Sequence, residues 1–287
     1  MGIKVNFTVG DGDGGRLREF LRRKCGVTAS LLTQLKRVER GITVNGEHAR
    51  VIDTIAAGDT VTITLPDDNN EIPPVKLPIE VLYEDEHVIV YNKPPFMPAH
   101  PVHGHQGDTL ANAAAYYAKT RGESYSFRAV NRLDRDTSGA LLAAKNAYAA
   151  PLLQGSVGKV YVGVCEGILE GSGTIDAPIR LKEGHTIERQ TGEGGQPAVT
   201  HYEAVASGGG HTLLRFTLET GRTHQIRVHM ASIGHSLAGD DMYGGSRAHI
   251  KRQALHCSEI SFDHPISRER LTVKAPIPDE FFELLKP

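Results

Sequence analysis

Between Asn131 and Gly139 the chain reads Asn-Arg-Leu-Asp-Arg-Asp-Thr-Ser-Gly, with one carboxylate, Asp134, held between two arginines and running into a Thr-Ser-Gly turn. The small apolar run Ala140–Ala144 follows at once. Surface charges need no such arrangement. A loop that must hold one ionised Asp at the edge of a sheet, beside an anionic ligand, does. The plain alternative is a solvated charged turn with an Asx-type hydrogen bond at Asp136. A second concentrated stretch, Thr220 to Met230, reads TGRTHQIRVHM. As the opening of a helix it sets His224 and Arg227 at i and i+3, on one face. A third, Lys159 to Gly167, has strand character and puts Lys159, Tyr161 and Gly163 on one face. Tyr161 there offers a flat π surface with a hydroxyl at its edge; taken alone it reads rather as a core tyrosine.

Together these stretches resemble the RluA/RluD-type RNA pseudouridine synthases. The first matches their His-Arg-Leu-Asp signature and its Thr-Ser-Gly turn, the second their Gly-Arg-x-His-Gln-Ile-Arg motif, the third their Lys-x-Tyr strand. Tyr91-Asn92-Lys93-Pro94 running to His100-Pro101 is similar to the family's Asn-Lys-Pro segment. The resemblance implies catalysis by Asp134, with Tyr161 packed on the target base and Arg227 paired to Asp134. A guanidinium there would keep the carboxylate ionised and oriented. It also implies that Arg132 fills the space vacated by the flipped base, and that Arg222 and His224 serve RNA phosphate or the motif's internal hydrogen bonds. The segments Leu237–Gly244, Leu255–Cys257 and Phe262–Pro265 continue the pattern and read as scaffold. Two departures stand out: Asn131 replaces the usual His, and Gly195-Gln196-Pro197-Ala198 stands where the family more often has a Lys before the Ala. The implied reaction cuts the N1–C1′ bond of a uridine in RNA and rejoins the base through C5. It loses no atom and needs no redox group, so no cofactor is expected. Two other readings stand beside this one: a catalytically idle RNA-binding or ribosome-assembly protein on the same fold, and an Asp-dependent glycoside hydrolase. The latter needs two carboxylates flanking the bond, and Asp136 is the only close partner.

The elements that must position these residues fall into two blocks. Residues 16–50 are strongly basic, with Arg16, Arg18, Arg22, Arg23, Lys36 and Arg37 prominent. Leu17, Phe20 and Leu21 at helical spacing predict a first helix stopped by Gly26. Ser30 is the expected N-cap of a second, carrying Leu31, Leu32, Leu35 and Val38 and ended by Gly41. Ile42–Val44 alternates into the Asn45-Gly46 tight turn, and Gly58-Asp59 precedes a strand over 60–65. Two short helices followed by strands resemble the small RNA-binding domain of a ribosomal small-subunit protein and of tyrosyl-tRNA synthetases, whose arginines contact phosphates. The polar, proline-rich segment 67–76 reads as a linker. From residue 77 strands dominate without regular βαβ alternation, with helices at 110–120 and 223–233. The expectation is an α+β fold: a catalytic domain over 77–287 built on a large mixed, mainly antiparallel sheet with flanking helices, and a small α/β RNA-binding domain over 1–66.

Composition sets the outer bounds. The 287 residues carry a formal net charge of −2, so any RNA site must be a local patch on a balanced protein. The three cysteines lack metal or disulfide spacing and fit a reducing compartment. The histidines His100, His103, His105 and His224, His229, His235 have no metal-site pattern, so no metal is expected. The opening residues carry no apolar signal region, and no run approaches a membrane span. The reading is a cytoplasmic monomer whose partner is ribosomal or transfer RNA, with no membrane contact.

Overall fold

The computed structural model describes residues 2–66 and 71–287. Near its N-terminus, strands β1 (Lys4–Thr8), β2 (Ile42–Val44), β3 (Glu47–His48) and β4 (Thr60–Thr64) pair antiparallel in the order β1-β4-β2-β3. Asn45 and Gly46 both have positive φ, 50° and 84°, as a two-residue hairpin turn requires. The expected first helix is short: one α-turn over Leu17–Glu19 widens into a π-turn over Phe20–Lys24. The second, α1 (Ala29–Leu35), is capped by Thr28 and not by Ser30. Thr28 is still extended and its hydroxyl accepts from the Leu31 N–H at 3.2 Å, whereas Ser30 is already helical. Val38 lies beyond the helix end. The basic side chains Arg16, Arg18, Arg22, Arg23, Lys36 and Arg37 are all exposed, while Leu17, Leu21, Leu31, Leu35, Val61 and Ile63 build a core beneath them.

One member of that core comes from far along the chain. Tyr148 is 1% exposed within it, and its hydroxyl donates to the Cys25 carbonyl at 2.7 Å. Ala147 and Leu152 pack beside it. An aromatic anchor from the larger block is thus buried in the smaller. Of the expected linker, 67–70 lie outside the described residues. Residues 71–76 have no regular structure but are held in place, since the Asn112 side chain donates to the Pro73 carbonyl and the Asn112 carbonyl accepts from the Val75 N–H.

The larger block is one ten-stranded sheet. Its strands are β5 (Glu80–Glu84), β6 (Val88–Lys93), β7 (Ser138–Ala144), β8 (Gly158–Glu166), β9 (Ser172–Asp176), β10 (Val199–Gly208), β11 (His211–Leu218), β12 (Leu255–Asp263) and β13 (Arg270–Lys274). The main path is β9-β10-β11-β8-β12-β7-β6-β5, with β13 beside β12 and a short strand, Arg128–Ala129, beside β7. All neighbours are antiparallel except β7 and β12. This is the α+β architecture expected. The run Ser138–Ala144 is buried at every position, so β7 sits at the centre, covered on both faces. Helix α2 (Leu110–Thr120) begins at a Thr109–Asn112 capping box, and α3 (Gln225–Ser232) packs by β10. Gly139, at φ 108°, faces the Cys257 backbone so closely that a Cβ would collide with it. The glycine of the Thr-Ser-Gly turn is thus what lets β7 approach β12. Among the described residues no helix is long and apolar enough to cross a membrane.

Candidate active site

Asp134 stands on the loop that enters β7, half-buried, its own carbonyl closing the turn by accepting from the Thr137 N–H. Three groups fix this loop from behind. Lys93 is fully buried and donates to the carbonyls of Pro94 (2.9 Å), Met97 (2.8 Å) and Arg135 (2.8 Å), which join the Asn-Lys-Pro segment to the Asp134 loop. Burial pushes its amine down to about 7, with the Asp136 and Asp134 carboxylates opposing. Arg252, also buried, donates to the Asp136 and Leu255 carbonyls at 3.2 Å each. Asn131 accepts from the Leu142 N–H at 2.7 Å and donates to the Ala140 carbonyl at 3.3 Å. The residue that departs from the family pattern therefore ties the loop to β7 through backbone. The Asp136 carboxylate is engaged by Arg135 at 2.7 and 3.0 Å.

The face of Asp134 away from these supports looks into a cavity of about 70 Å³, lined by Arg132, Tyr161, Arg222, His224, Arg227 and apolar neighbours. The structure gathers here all three residues expected to be catalytic. Larger hollows lie elsewhere. One of about 840 Å³ is edged by Glu84, Asp85, Glu86 and Glu123, and one of about 690 Å³ by five prolines with Asp279 and Glu280. Neither lining suits a polyanion.

Arg227, on α3, reaches Asp134 with Nη1 at 3.4 Å, but its firm partner is another residue. Its Nε and Nη2 donate to the two oxygens of Asp240 at 2.6 and 2.8 Å, a bidentate pair in which Asp240 is 1% exposed. The guanidinium also lies 4.9 Å from the centre of the Tyr243 ring. Two carboxylates raise its pKa above the ordinary arginine value despite burial. Asp240 and Tyr243 fall in the segment that reads as scaffold from sequence; they are the site residues sequence reasoning missed, and nothing local in Gly-Asp-Asp-Met-Tyr marks them.

His224 is not the first residue of the helix but the residue before it, in left-handed conformation at φ 58°. That geometry turns its ring inward instead of along the helix face. Nε2 comes within 3.9 Å of Asp134, and Nδ1 meets the Tyr243 hydroxyl at 2.8 Å. Tyr243 in turn accepts from the Arg189 N–H at 2.9 Å, leaving its own proton free to point at Nδ1. Burial lowers the His224 pKa, Asp134 opposing, so the ring is neutral near pH 7 and can present an Nε2–H to Asp134.

Tyr161 enters from β8 opposite Cys257 of β12, just where the register slips between Val160 and Tyr161. Such a bulge beside a site re-aims the local side chains. The ring is 7% exposed, and burial, with Cys257 and Asp134 adding, holds its phenol well above the usual range, hence protonated at neutral pH. Arg132 and Arg222 are exposed at the mouth, and Arg222 is steadied by the Pro197 carbonyl at 3.0 Å.

Residues 87–232 match the family model described as RNA pseudouridylate synthase. The chain is 39% identical over 269 residues to uncharacterized RNA pseudouridine synthase YjbO of Bacillus subtilis, spanning 91% of this chain and 95% of that one. The chain belongs to the RNA pseudouridylate synthase family. It is therefore an isomerase acting on RNA. The synthase is also 36% identical to ribosomal large subunit pseudouridine synthase D of Pseudomonas aeruginosa, over 85% of this chain and 82% of that one. Among solved structures, human RNA pseudouridylate synthase domain containing 1 superposes with a TM-score of 0.58 at 27% identity, covering 69% of this synthase and 83% of its own chain.

Proposed function

We propose that this synthase converts uridines of large-subunit ribosomal RNA to pseudouridine, with Asp134 as the catalytic carboxylate. The observation that carries the reading is Asp134 in a cavity faced by Arg227, His224 and Tyr161 and supported from behind by Lys93 and Arg252. To reach Asp134 the target base leaves its stack, at a cost of a few kcal/mol. Ribose and phosphates stay at the mouth, beside Arg132 and Arg222. Asp134 then acts at the sugar while Tyr161 packs on the ring. The N1–C1′ bond breaks, the freed base turns, and C5 bonds to C1′. The C5 proton is lost and N1 gains one, so atoms balance. Arg227 holds Asp134 in aim by its Nη1 donor at 3.4 Å, with the neutral His224 ring standing beside the carboxylate at 3.9 Å, and oriented groups of this kind cost no reorganisation during the reaction. The likeness to ribosomal large subunit pseudouridine synthase D supports the choice of RNA, and such a target implies work in the cytoplasm. The exposed arginines over residues 16–37 would add phosphate contacts remote from the chemistry.

The test is a pseudouridine map of ribosomal RNA from cells with the gene, without it, and with Asp134→Asn. Asparagine keeps the shape but not the charge or nucleophilicity. One or more positions should disappear in both defective strains, while purified Asp134→Asn still binds the RNA. Turnover within tenfold of wild type would move the catalytic role elsewhere.

A further inference from the structure

Beside the catalytic cavity lies a second cleft that the chemistry above leaves unused. It has a volume of about 340 Å³ and is lined by Arg180, Arg189, Arg222, Gln196 and the Gly194-Gly195 turn. Arg180 and Arg189 come from a two-stranded hairpin, Ile179–Leu181 paired with Arg189–Thr191. Among the described residues none of the three guanidinium groups has a carboxylate partner. Glu188, the acid next to Arg189, is already engaged by Lys182 and by His185, the latter at 2.9 Å. Three uncompensated arginines around one hollow repel each other, so an anion is the occupant that relieves them.

Two observations connect this cleft to the reaction centre. Arg222 lines both cavities, so a chain leaving Asp134 on that side meets Arg222 first and the hairpin next. The hairpin is also wired to the catalytic loop, because the Arg189 N–H donates to Tyr243, Tyr243 meets His224, and His224 faces Asp134. The hairpin further exposes Leu181 and Ile187, at 43% and 58%, on either side of its turn.

We propose that this cleft is a phosphate subsite for the RNA strand flanking the target uridine, with Arg180 and Arg189 as positioning residues for the substrate backbone. The inference rests on the reading that the chain acts on RNA through Asp134. It adds what that reading lacks: a fixed path for the strand whose base has been drawn out. Phosphates held here would set which nucleotide reaches Asp134, and contacts of this kind fix register without reading sequence.

The experiment uses the full chain and ribosomal RNA from a strain lacking the gene, comparing wild type with the Arg180→Gln/Arg189→Gln double variant. Binding is titrated at several salt concentrations and turnover is measured at saturating and limiting RNA. Removing two phosphate contacts should flatten the dependence of log K on log salt by about 1.4 for single-stranded backbone and raise KM about tenfold or more, with kcat held within about threefold. Thermal midpoints should coincide, since neither guanidinium supports the fold. An unchanged salt slope and KM would overturn the subsite. A loss of kcat alone would also overturn it, because it would place the two guanidinium groups in the chemical step instead of on the substrate backbone. If wild type forms no pseudouridine on any RNA, the proposed function fails, yet the salt slope still decides whether the cleft takes phosphate.

Discussion

Asp240→Asn offers the sharpest probe of how the site is built. In the native structure both oxygens of Asp240 accept from Arg227, at 2.6 and 2.8 Å, and the two side chains are 1% and 6% exposed. Asparagine leaves one acceptor and turns an amide N–H₂ toward a group that can only donate. It also leaves a guanidinium buried with Asp134 as its nearest carboxylate, at 3.4 Å. Breaking one side of a buried ion pair costs about 3–5 kcal/mol. Against a typical total stability of about 5–15 kcal/mol, that is readily seen in a urea titration. The released guanidinium should swing toward Asp134 and draw it out of aim, and losing one oriented donor in an active site typically costs about 10²–10³ in kcat. A second variant separates the two effects. Replacing both partners by apolar residues, Arg227→Met with Asp240→Leu, should recover most of the stability, because filling a buried pair with well-packed apolar groups is often neutral or better. It should recover none of the activity. An Asp240→Asn protein that unfolds within about 1 kcal/mol of wild type and turns over normally would refute the pair as the organising interaction. Restored activity in the double variant would show that no guanidinium is needed beside Asp134.

Two other outcomes are expected. His256 is 1% exposed and burial holds it down to about 4, from an ordinary 6.5. Its folded pKa is depressed, so the unfolded chain binds the extra proton between those values. The stabilisation, worth about 3 kcal/mol, is complete above pH 6.5 and is lost as pH falls toward 4. His256→Gln should flatten that part of the stability–pH curve, and an identical slope in the variant would assign the acid sensitivity to other groups. Deleting residues 1–66 removes the dense run of exposed Lys and Arg, so RNA affinity should fall and depend less steeply on salt. It also uncovers Tyr148 and Leu152, so the truncated chain should self-associate in analytical ultracentrifugation. Deletion combined with Tyr148→Ser should relieve this; a monodisperse Tyr148-containing fragment would mean the anchor contributes little.

What could be read from sequence here follows the range of the interactions involved. Asp134, Arg132 and the Thr-Ser-Gly turn are neighbours in the chain, so their juxtaposition is local and legible. Helix α2 is legible from sequence at both ends, 110 and 120, and Thr109 and Asn112 fix its start within one turn. The cap of α1 was misplaced by two residues, from Thr28 to Ser30. Two hydroxyl residues stood in reach, and only the backbone conformation decides between them. The Arg227–Asp134 approach was inferred by resemblance, but the geometry that makes it work was not. Asp240 lies 13 residues from Arg227 along the chain, beyond any helical or turn spacing, and becomes its partner only when α3 and the 237–244 turn fold onto the same side of the sheet. Tyr148 is hidden for the same reason: it sits 123 residues from Cys25, and nothing in its own segment says that its ring completes another block's core. His224 shows the reverse case. Its neighbours suggest a regular helix start, yet the chain adopts φ 58° there and turns the imidazole toward Asp134. A non-glycine residue held in that region by its surroundings is the kind of strain found where a side chain must be aimed. The sequence points to the candidate groups, and long-range packing brings them together. Asp240 and Tyr243, which touch Arg227 and His224 but have no signature of their own, are therefore the positions where substitution should alter catalysis most while altering the recognisable motif least.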